Sequence, residues 1–309
     1  MKWNRSGSFM SRFVLQWVID NQDAGKMIKE FLKEKSISKT ALTDIKFKGG
    51  RIAVNGQDVN VRYYLRSDDQ LTVYFPAEEP SLGLAGENIP LDILFEDDFI
   101  LIVNKPFDMN TIPSREHPKG SLANALIGYF RQIELQATTH IVTRLDRNTS
   151  GLVLIAKHRH IHHLLSNEQK AGKIKRTYEA FAEGVLKAAT GKIEEPIGRK
   201  EDSIIEREVR SDGQYALTHY QVIQSFPQFT WLRLGLETGR THQIRVHLSY
   251  IGHPLVGDDL YGGSTNLLQR QALHCRKIVF NHPISGRPYE FTADLPSDMQ
   301  SLLITAGNR

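Results

Sequence analysis

Residues 143 to 155 read Thr-Arg-Leu-Asp-Arg-Asn-Thr-Ser-Gly-Leu-Val-Leu-Ile. A carboxylate, Asp146, lies between two guanidinium groups, Arg144 and Arg147, ahead of an apolar run with the composition of a buried strand. Paired opposite charge holds a carboxylate in its ionised form and fixes its direction. A nucleophile or an electrostatic stabiliser needs both properties. The same residues also fit a surface loop with an ordinary ion pair, which contributes little. On this segment alone both readings stand.

A second dense segment runs from Thr238 through Gly239, Arg240, Thr241, His242, Gln243, Ile244 and Arg245 to Gly252. Thr241 is the predicted N-cap of a helix whose apolar stripe is Ile244, Leu248 and Ile251, stopped by Gly252 and Pro254. Arg245 is expected off that buried stripe. A helix start with Arg240, His242 and Arg245 nearby would receive an anion; the alternative is a helix with ordinary polar positions. Arg176-Thr177-Tyr178 places an aromatic hydroxyl on a predicted strand after basic residues. That tyrosine either packs across strands or stacks on an extruded base.

His158 and His162 are spaced i,i+4, but no cysteine or acidic residue completes a ligand set, so no metal is expected there. The stretch from Lys157 to Arg176 carries six Lys or Arg against Glu168 alone. It reads as a basic helix and loop touching RNA. His274-Cys275 reads as packing, since nothing nearby would activate the thiol.

The elements that must hold these residues fall in two blocks. Residues 76 to 90 hold three prolines, two glycines and no hydrophobic periodicity, the pattern of a linker. The expected division is a small basic module over 1–80, a linker over 81–91 and a body over 92–309. In the module, helices are predicted over Ala24 to Lys35 and after Ser38 as N-cap, with strands over 51–55 and 71–75 and a hairpin turn at Asn55-Gly56. Between Ala24 and Arg66 there are ten Lys or Arg against four acids. That excess suits phosphate contacts, and a solvated lysine face would look the same. In the body, strands are predicted over 93–96, 100–103, 152–156, 177–182 and 230–236. Helices are predicted over 121–130 and around Ile161, Leu164 and Leu165. Their irregular alternation favours an α+β fold with a mixed or antiparallel sheet.

With 309 residues the chain can build about two cores. A formal charge of +4 permits a polyanionic partner without requiring one. The single cysteine, Cys275, excludes an intrachain disulfide and suits a reducing cytosol, so a cytoplasmic location is expected. No apolar run approaches the ~20 residues that span a bilayer. Met1 to Asp20 shows no signal-peptide pattern, and no repeat or low-complexity tract is present.

Together these segments resemble the RluA-type pseudouridine synthase family. The resemblance rests on Arg144-Leu-Asp146-Arg147-Asn-Thr-Ser-Gly151-Leu, Arg176-Thr-Tyr178 and Gly239-Arg-Thr-His-Gln-Ile-Arg245-Val-His247. It extends to Gly252-His-Pro-Leu-Val-Gly-Asp258, Ile102-Val-Asn-Lys105-Pro106 and Ala272-Leu273-His274. These motifs span most of residues 90 to 295 in family order. Residues 24 to 75 resemble the small S-four-like (αL) RNA-binding domain.

The resemblance implies a pseudouridine synthase fold. It implies isomerisation of uridine to pseudouridine in structured RNA, ribosomal or transfer, with no cofactor and no metal; a monomer is expected. Asp146 would be the nucleophile, Arg245 its partner, and Tyr178 the residue stacking on the flipped uracil. Leu273 would line the uracil pocket, and Arg144, Arg147, Arg240, His242 and Lys105 would contact substrate. Thr143 replaces a frequent histidine, and Phe107-Asp108 replaces smaller residues, so contacts there would differ. Two alternatives are a catalytically silent RNA-binding or ribosome-assembly protein and a hydrolase with paired carboxylates. The first would lack Asp146 or Arg245; the second needs a further acid that residues 238–252 do not contain.

Overall fold

The computed structural model describes residues 13–79 and 83–307. The ends of the expected first module, the start of the expected linker and most of the stretch read for a signal peptide lie outside them. Residues 13–79 close a core of their own around Ile28, Phe31, Leu32, Ile45, Leu71 and Val73. Met27, Ile28, Phe31 and Leu32 do produce a helix, but only over Ile28–Glu34. Residues 20–25 instead turn around Asp20, whose carboxylate accepts the amides of Gln22 and Asp23. The second helix, Lys39–Phe47, starts where predicted, with Ser38 Oγ accepting the Ala41 amide at 3.1 Å. Asn55 and Gly56 both have positive φ, 51° and 81°, the conformation a two-residue hairpin turn requires. They join Arg51–Val54 to Gln57–Asp58. Gln70–Tyr74 and Val14–Val18, the latter not foreseen, complete an antiparallel sheet of four strands.

The remaining residues build α+β architecture on one large sheet. In space its strands run Thr190–Glu194, Leu217–Ser225, Phe229–Leu236, Lys175–Glu183, Leu273–Asn281, Ser150–Ala156, Ile100–Lys105 and Ile93–Glu96. Every pairing is antiparallel except one: Leu273–Asn281 runs parallel to Ser150–Ala156. At that seam Gly151 has φ of 113°, and a Cβ there would lie 2.4 Å from the Cys275 carbonyl oxygen. The absent side chain therefore allows the two strands to meet just beyond Asp146. Helices Leu122–Gln132 and Arg159–Lys170 cover the sheet through Leu122, Leu126, Phe130, Ile161 and Leu165.

Of the stretch read as a linker, residues 83–90 are held against the body. Gly128 on the helix lets Glu87 approach so closely that a Cβ would meet the Glu87 carbonyl oxygen at 2.0 Å. Asn124 Nδ2 donates to Ala85 O at 2.8 Å, and Ile89 and Leu91 pack into the main core.

The small module docks on the start of helix Arg159–Lys170. The Phe13 ring stacks on His158 at 4.0 Å and Phe75 on His160 at 5.6 Å. The buried Glu78 carboxylate takes His158 Nε2 at 3.1 Å, the Arg159 amide at 2.9 Å and His140 Nε2. His158 Nδ1 accepts the His160 amide, so the neutral ring donates to Glu78 through Nε2. Arg159 pairs with Asp44 at 3.0 Å, and Lys157 with Glu96 at 2.8 Å. This corrects the reading of Lys157 to Arg176 as one RNA-facing run: its first three residues bind protein.

Candidate active site

Asp146 lies in a turn closed by the Thr149 amide on its carbonyl oxygen at 3.1 Å, directly before the buried strand. The turn is braced from beneath. Thr111 Oγ1 donates to Leu145 O at 2.6 Å, and Arg270 Nη1 donates to Asn148 O at 3.1 Å. Arg270 is itself held in a two-point contact by Asp298, 2.7 and 2.9 Å. Lys105 is fully buried, and its ammonium donates to the carbonyls of Pro106, Met109 and Arg147 at 2.8, 2.8 and 3.1 Å. Burial pushes its pKa down to about 7, against the pull of Asp146. Lys105 is thus a brace for the loop, where a substrate contact was expected. Contacts of this kind hold the Asp146 turn rigid from behind.

Arg147, expected to contact substrate, turns away from Asp146. It pairs with Asp108 at 2.8 Å and bonds His117, outside the pocket. The direct partner of Asp146 is Arg245, Nη1 to Oδ2 3.3 Å, with His242 Nε2 at 3.8 Å. Arg245 lies on helix Gln243–Tyr250 but is buried, contrary to the expectation that it falls off the buried face. Nor is Thr241 the N-cap: His242 holds that place with φ of 57° and no side-chain cap bond. The anion near this helix start is the protein's own Asp146. Gln243 braces the loop, its Oε1 accepting the Arg240 amide at 3.0 Å and the Thr238 hydroxyl at 2.8 Å.

Two residues of the site carried no foreseen role. The fully buried Asp258 grips Arg245 Nε and Nη2, both at 2.7 Å. Tyr261 sets its ring 4.8 Å from the Arg245 guanidinium, and its hydroxyl bonds His242 Nδ1 at 2.7 Å. Burial disfavours the charge on Arg245, but Asp258 and then Asp146 more than reverse this, so its pKa is raised. Gly257-Asp258 and Tyr261-Gly262 stand in a polar turn where only three-dimensional proximity gives them meaning.

The pocket in front of Asp146 holds about 80 Å³ and is lined by Tyr178, Leu273, Ile244, Arg144, Arg176 and Arg240, among others. Tyr178 lies between Leu234 and Cys275 in the sheet, with its ring 5.8 Å from the Arg176 guanidinium. Burial raises the pKa of its phenol, so Tyr178 offers a neutral aromatic face. Burial also lifts the Cys275 thiol to about 11, which makes it a packing residue. Of the nine residues expected at the site, Asp146, Arg245, Tyr178, Arg144, Leu273, Arg240 and His242 meet here; Arg147 and Lys105 do not. Thr143 is buried, its hydroxyl accepting the Leu154 amide, and is part of the scaffold. Among the described residues no group of three or more His, Cys, Asp or Glu is placed to hold a metal ion. None of their helices is long and apolar enough to cross a membrane.

The class of enzyme to which this largely antiparallel sheet and its arginine-paired Asp146 belong follows from comparison with known proteins. A family profile described as RNA pseudouridylate synthase matches residues 99–250. An uncharacterized RNA pseudouridine synthase of Bacillus subtilis, YjbO, is 50% identical over 89% of this chain and 98% of its own. Ribosomal large subunit pseudouridine synthase D of Vibrio parahaemolyticus is 38% identical over 82% of each chain. The solved structure of human RNA pseudouridylate synthase domain containing 1 has the same fold, with TM-score 0.57 and 22% identity over 72% of this chain and 97% of that one. The chain belongs to the RluA-type RNA pseudouridine synthase family, enzymes that isomerise uridine in RNA to pseudouridine.

Proposed function

We propose that Asp146 is the nucleophile of this isomerisation and that the substrate is structured RNA, with large-subunit ribosomal RNA first and transfer RNA second. The observation that carries the reading is the contact of Asp146 with a buried, doubly anchored Arg245 at the wall of a pocket that also presents Tyr178. In the reaction the bond from C1′ to N1 breaks, the uracil turns, and C1′ joins C5. The hydrogen on C5 is released while N1 gains one, so composition and oxidation state are unchanged and no cofactor is called for. The carboxylate attacks C1′ or assists proton removal there, and Tyr178 stacks on a uracil drawn from its helix at a cost of a few kcal/mol.

The relative named for the ribosomal large subunit supports that choice of RNA. The module at 13–79 is read as an S-four-like RNA clamp within the division 1–80, 81–91 and 92–309. Lys29, Lys33, Lys39, Lys46, Arg62 and Arg66 are exposed on it, and none forms an ion pair among the described residues. The protein acts as a cytoplasmic monomer in this scheme.

The test is Asp146→Asn, assayed by tritium release from RNA labelled at carbon five of uridine. Release should fall to background while RNA affinity and fold stay near normal. An active variant would sink the assignment. Mapping pseudouridines in total RNA with and without the gene identifies the target; a silent RNA-binding protein would leave that map unchanged.

A further inference from the structure

Beside the uracil pocket, across a ridge formed by Gly239 and Arg240, lies a second cleft of about 380 Å³. Its walls are the two-stranded ribbon Ile197–Arg199 and Arg207–Val209, the turn Asp212 to Gln214, and Gly239 to Thr241. Arg199 and Arg207 are direct cross-strand partners in that ribbon. Like charges placed opposite one another destabilise a strand pair. Nothing in the ribbon relieves the conflict. Four of its acids are engaged elsewhere: Asp212, Glu201 and Glu208 surround Arg210, and Glu206 pairs with Lys200; Asp202 acts on Lys200.

Arg199, Arg207 and Arg240 form no ion pair among the described residues. What they have is backbone carbonyls. Arg199 Nη2 donates to Ile204 O at 3.0 Å, Arg207 Nη1 to Ile205 O and Glu206 O at 3.0 and 2.8 Å, and Arg240 Nε to Tyr215 O at 2.9 Å. A carbonyl fixes the direction of a guanidinium and leaves its charge and remaining N–H groups free for the oxygens of an anion. The ribbon is also tied to the reaction site. Tyr261 Oη accepts the Arg207 amide at 3.0 Å while bonding His242 Nδ1.

We propose that this cleft is a phosphodiester subsite, in which Arg199, Arg207 and Arg240 hold the backbone phosphate of a nucleotide adjoining the target uridine in the same strand. The proposal rests on the reading that the uridine enters the Asp146 pocket. The two sites share Gly239 and Arg240 as a common wall, and an anion in the cleft removes the repulsion that the free ribbon carries. Binding at the cleft then steadies His242 through Tyr261.

The experiment pairs a protein change with a ligand change. Full-length wild type and the double variant Arg199→Gln/Arg207→Gln are titrated with a uridine-containing oligoribonucleotide. The same oligonucleotide is also used with one neutral methylphosphonate linkage, placed in turn at each phosphate flanking the target. The variant should lose about tenfold in affinity at low salt, with its salt slope reduced by about 0.7, the share of one single-strand phosphate. Its KM should rise more than its kcat falls. One neutral linkage should cost the wild type about the same tenfold and cost the variant, which keeps only Arg240 of the three, much less.

The melting temperature of the variant should not drop, since like charges are being removed. The single variant Arg199→Gln, at an exposed position, gives the same test should the double variant prove unstable. Equal affinity of variant and wild type, or a wild type indifferent to every neutral linkage, overturns the subsite. Those results with tritium release intact in the wild type leave the Asp146 reading standing; no release from wild type would fail that reading first.

Discussion

The clearest stability test of the site is Asp258→Asn, which removes a charge and almost no volume. Arg245 and Asp258 have side chains 7% and 0% exposed and meet through two bonds of 2.7 Å. Breaking a buried pair by neutralising one partner costs about 3–5 kcal/mol, because the other charge stays buried. Asn keeps one acceptor, and Asp146, 29% exposed and 3.3 Å away, can draw the guanidinium toward it. The lower end, about 3 kcal/mol, is therefore expected. For a body of this size that lowers Tm by roughly 6–12 °C. Catalysis should suffer as well, since Arg245 loses the anchor that sets its direction toward Asp146. A displacement of about 1 Å at a reacting group costs on the order of 100-fold. Differential scanning fluorimetry and single-turnover tritium release read the two effects separately. The double variant Arg245→Met/Asp258→Leu should recover most of the stability and none of the activity. An Asp258→Asn protein melting within about 2 °C of wild type and turning over normally would refute the argument.

Two more outcomes follow from the braces and the docking face. Lys105→Met leaves three carbonyls without their donor, each worth about 1–3 kcal/mol if it stays dry. Water entry should hold the loss to about 2–3 kcal/mol, with kcat reduced more than KM is raised; an unchanged urea midpoint would contradict the role as a brace. Acidification should loosen the small module. Burial pushes His158 down to about 3 and His160 to about 4, while a free histidine titrates near 6.5. Between those values the separated form binds protons that the docked form excludes, so docking weakens as pH falls, by up to about 2 kcal/mol per histidine at pH 5. Glu78 acts in the same direction at lower pH. Burial pulls its pKa up, but His140 and His158 hold it below the usual range, and that contribution disappears as the carboxylate protonates. Limited proteolysis between the modules at pH 7 and pH 5 would show it, and equal cleavage rates would count against it.

The same docking face changes what truncation would mean. Removing residues 1 to 85 would uncover His158 and His160 and strand Arg159, so it would disturb the body as well as RNA affinity.

Local chemistry was legible in the sequence wherever neighbours along the chain decide the outcome. Ser38 capped its helix, Asn55-Gly56 made its turn, and the apolar run after Gly151 became a fully buried strand. The motifs around Asp146, Tyr178 and Arg245 likewise marked the residues that line one pocket. What the sequence could not settle was direction. Arg147 follows Asp146 directly yet faces Asp108, because the turn aims successive side chains apart. Lys105 looks like a substrate contact until its strand buries it beneath three carbonyls. Asp258 and Tyr261 lie 13 and 16 residues beyond Arg245 and reach it only when the chain folds back. The arginines opposed across the ribbon are eight residues apart and meet through strand register alone. Composition and spacing thus determined which groups this protein has for its chemistry. Only tertiary structure decided which charge is anchored, which is buried and which is left without an ion pair, since a charge's worth depends on its surroundings in space.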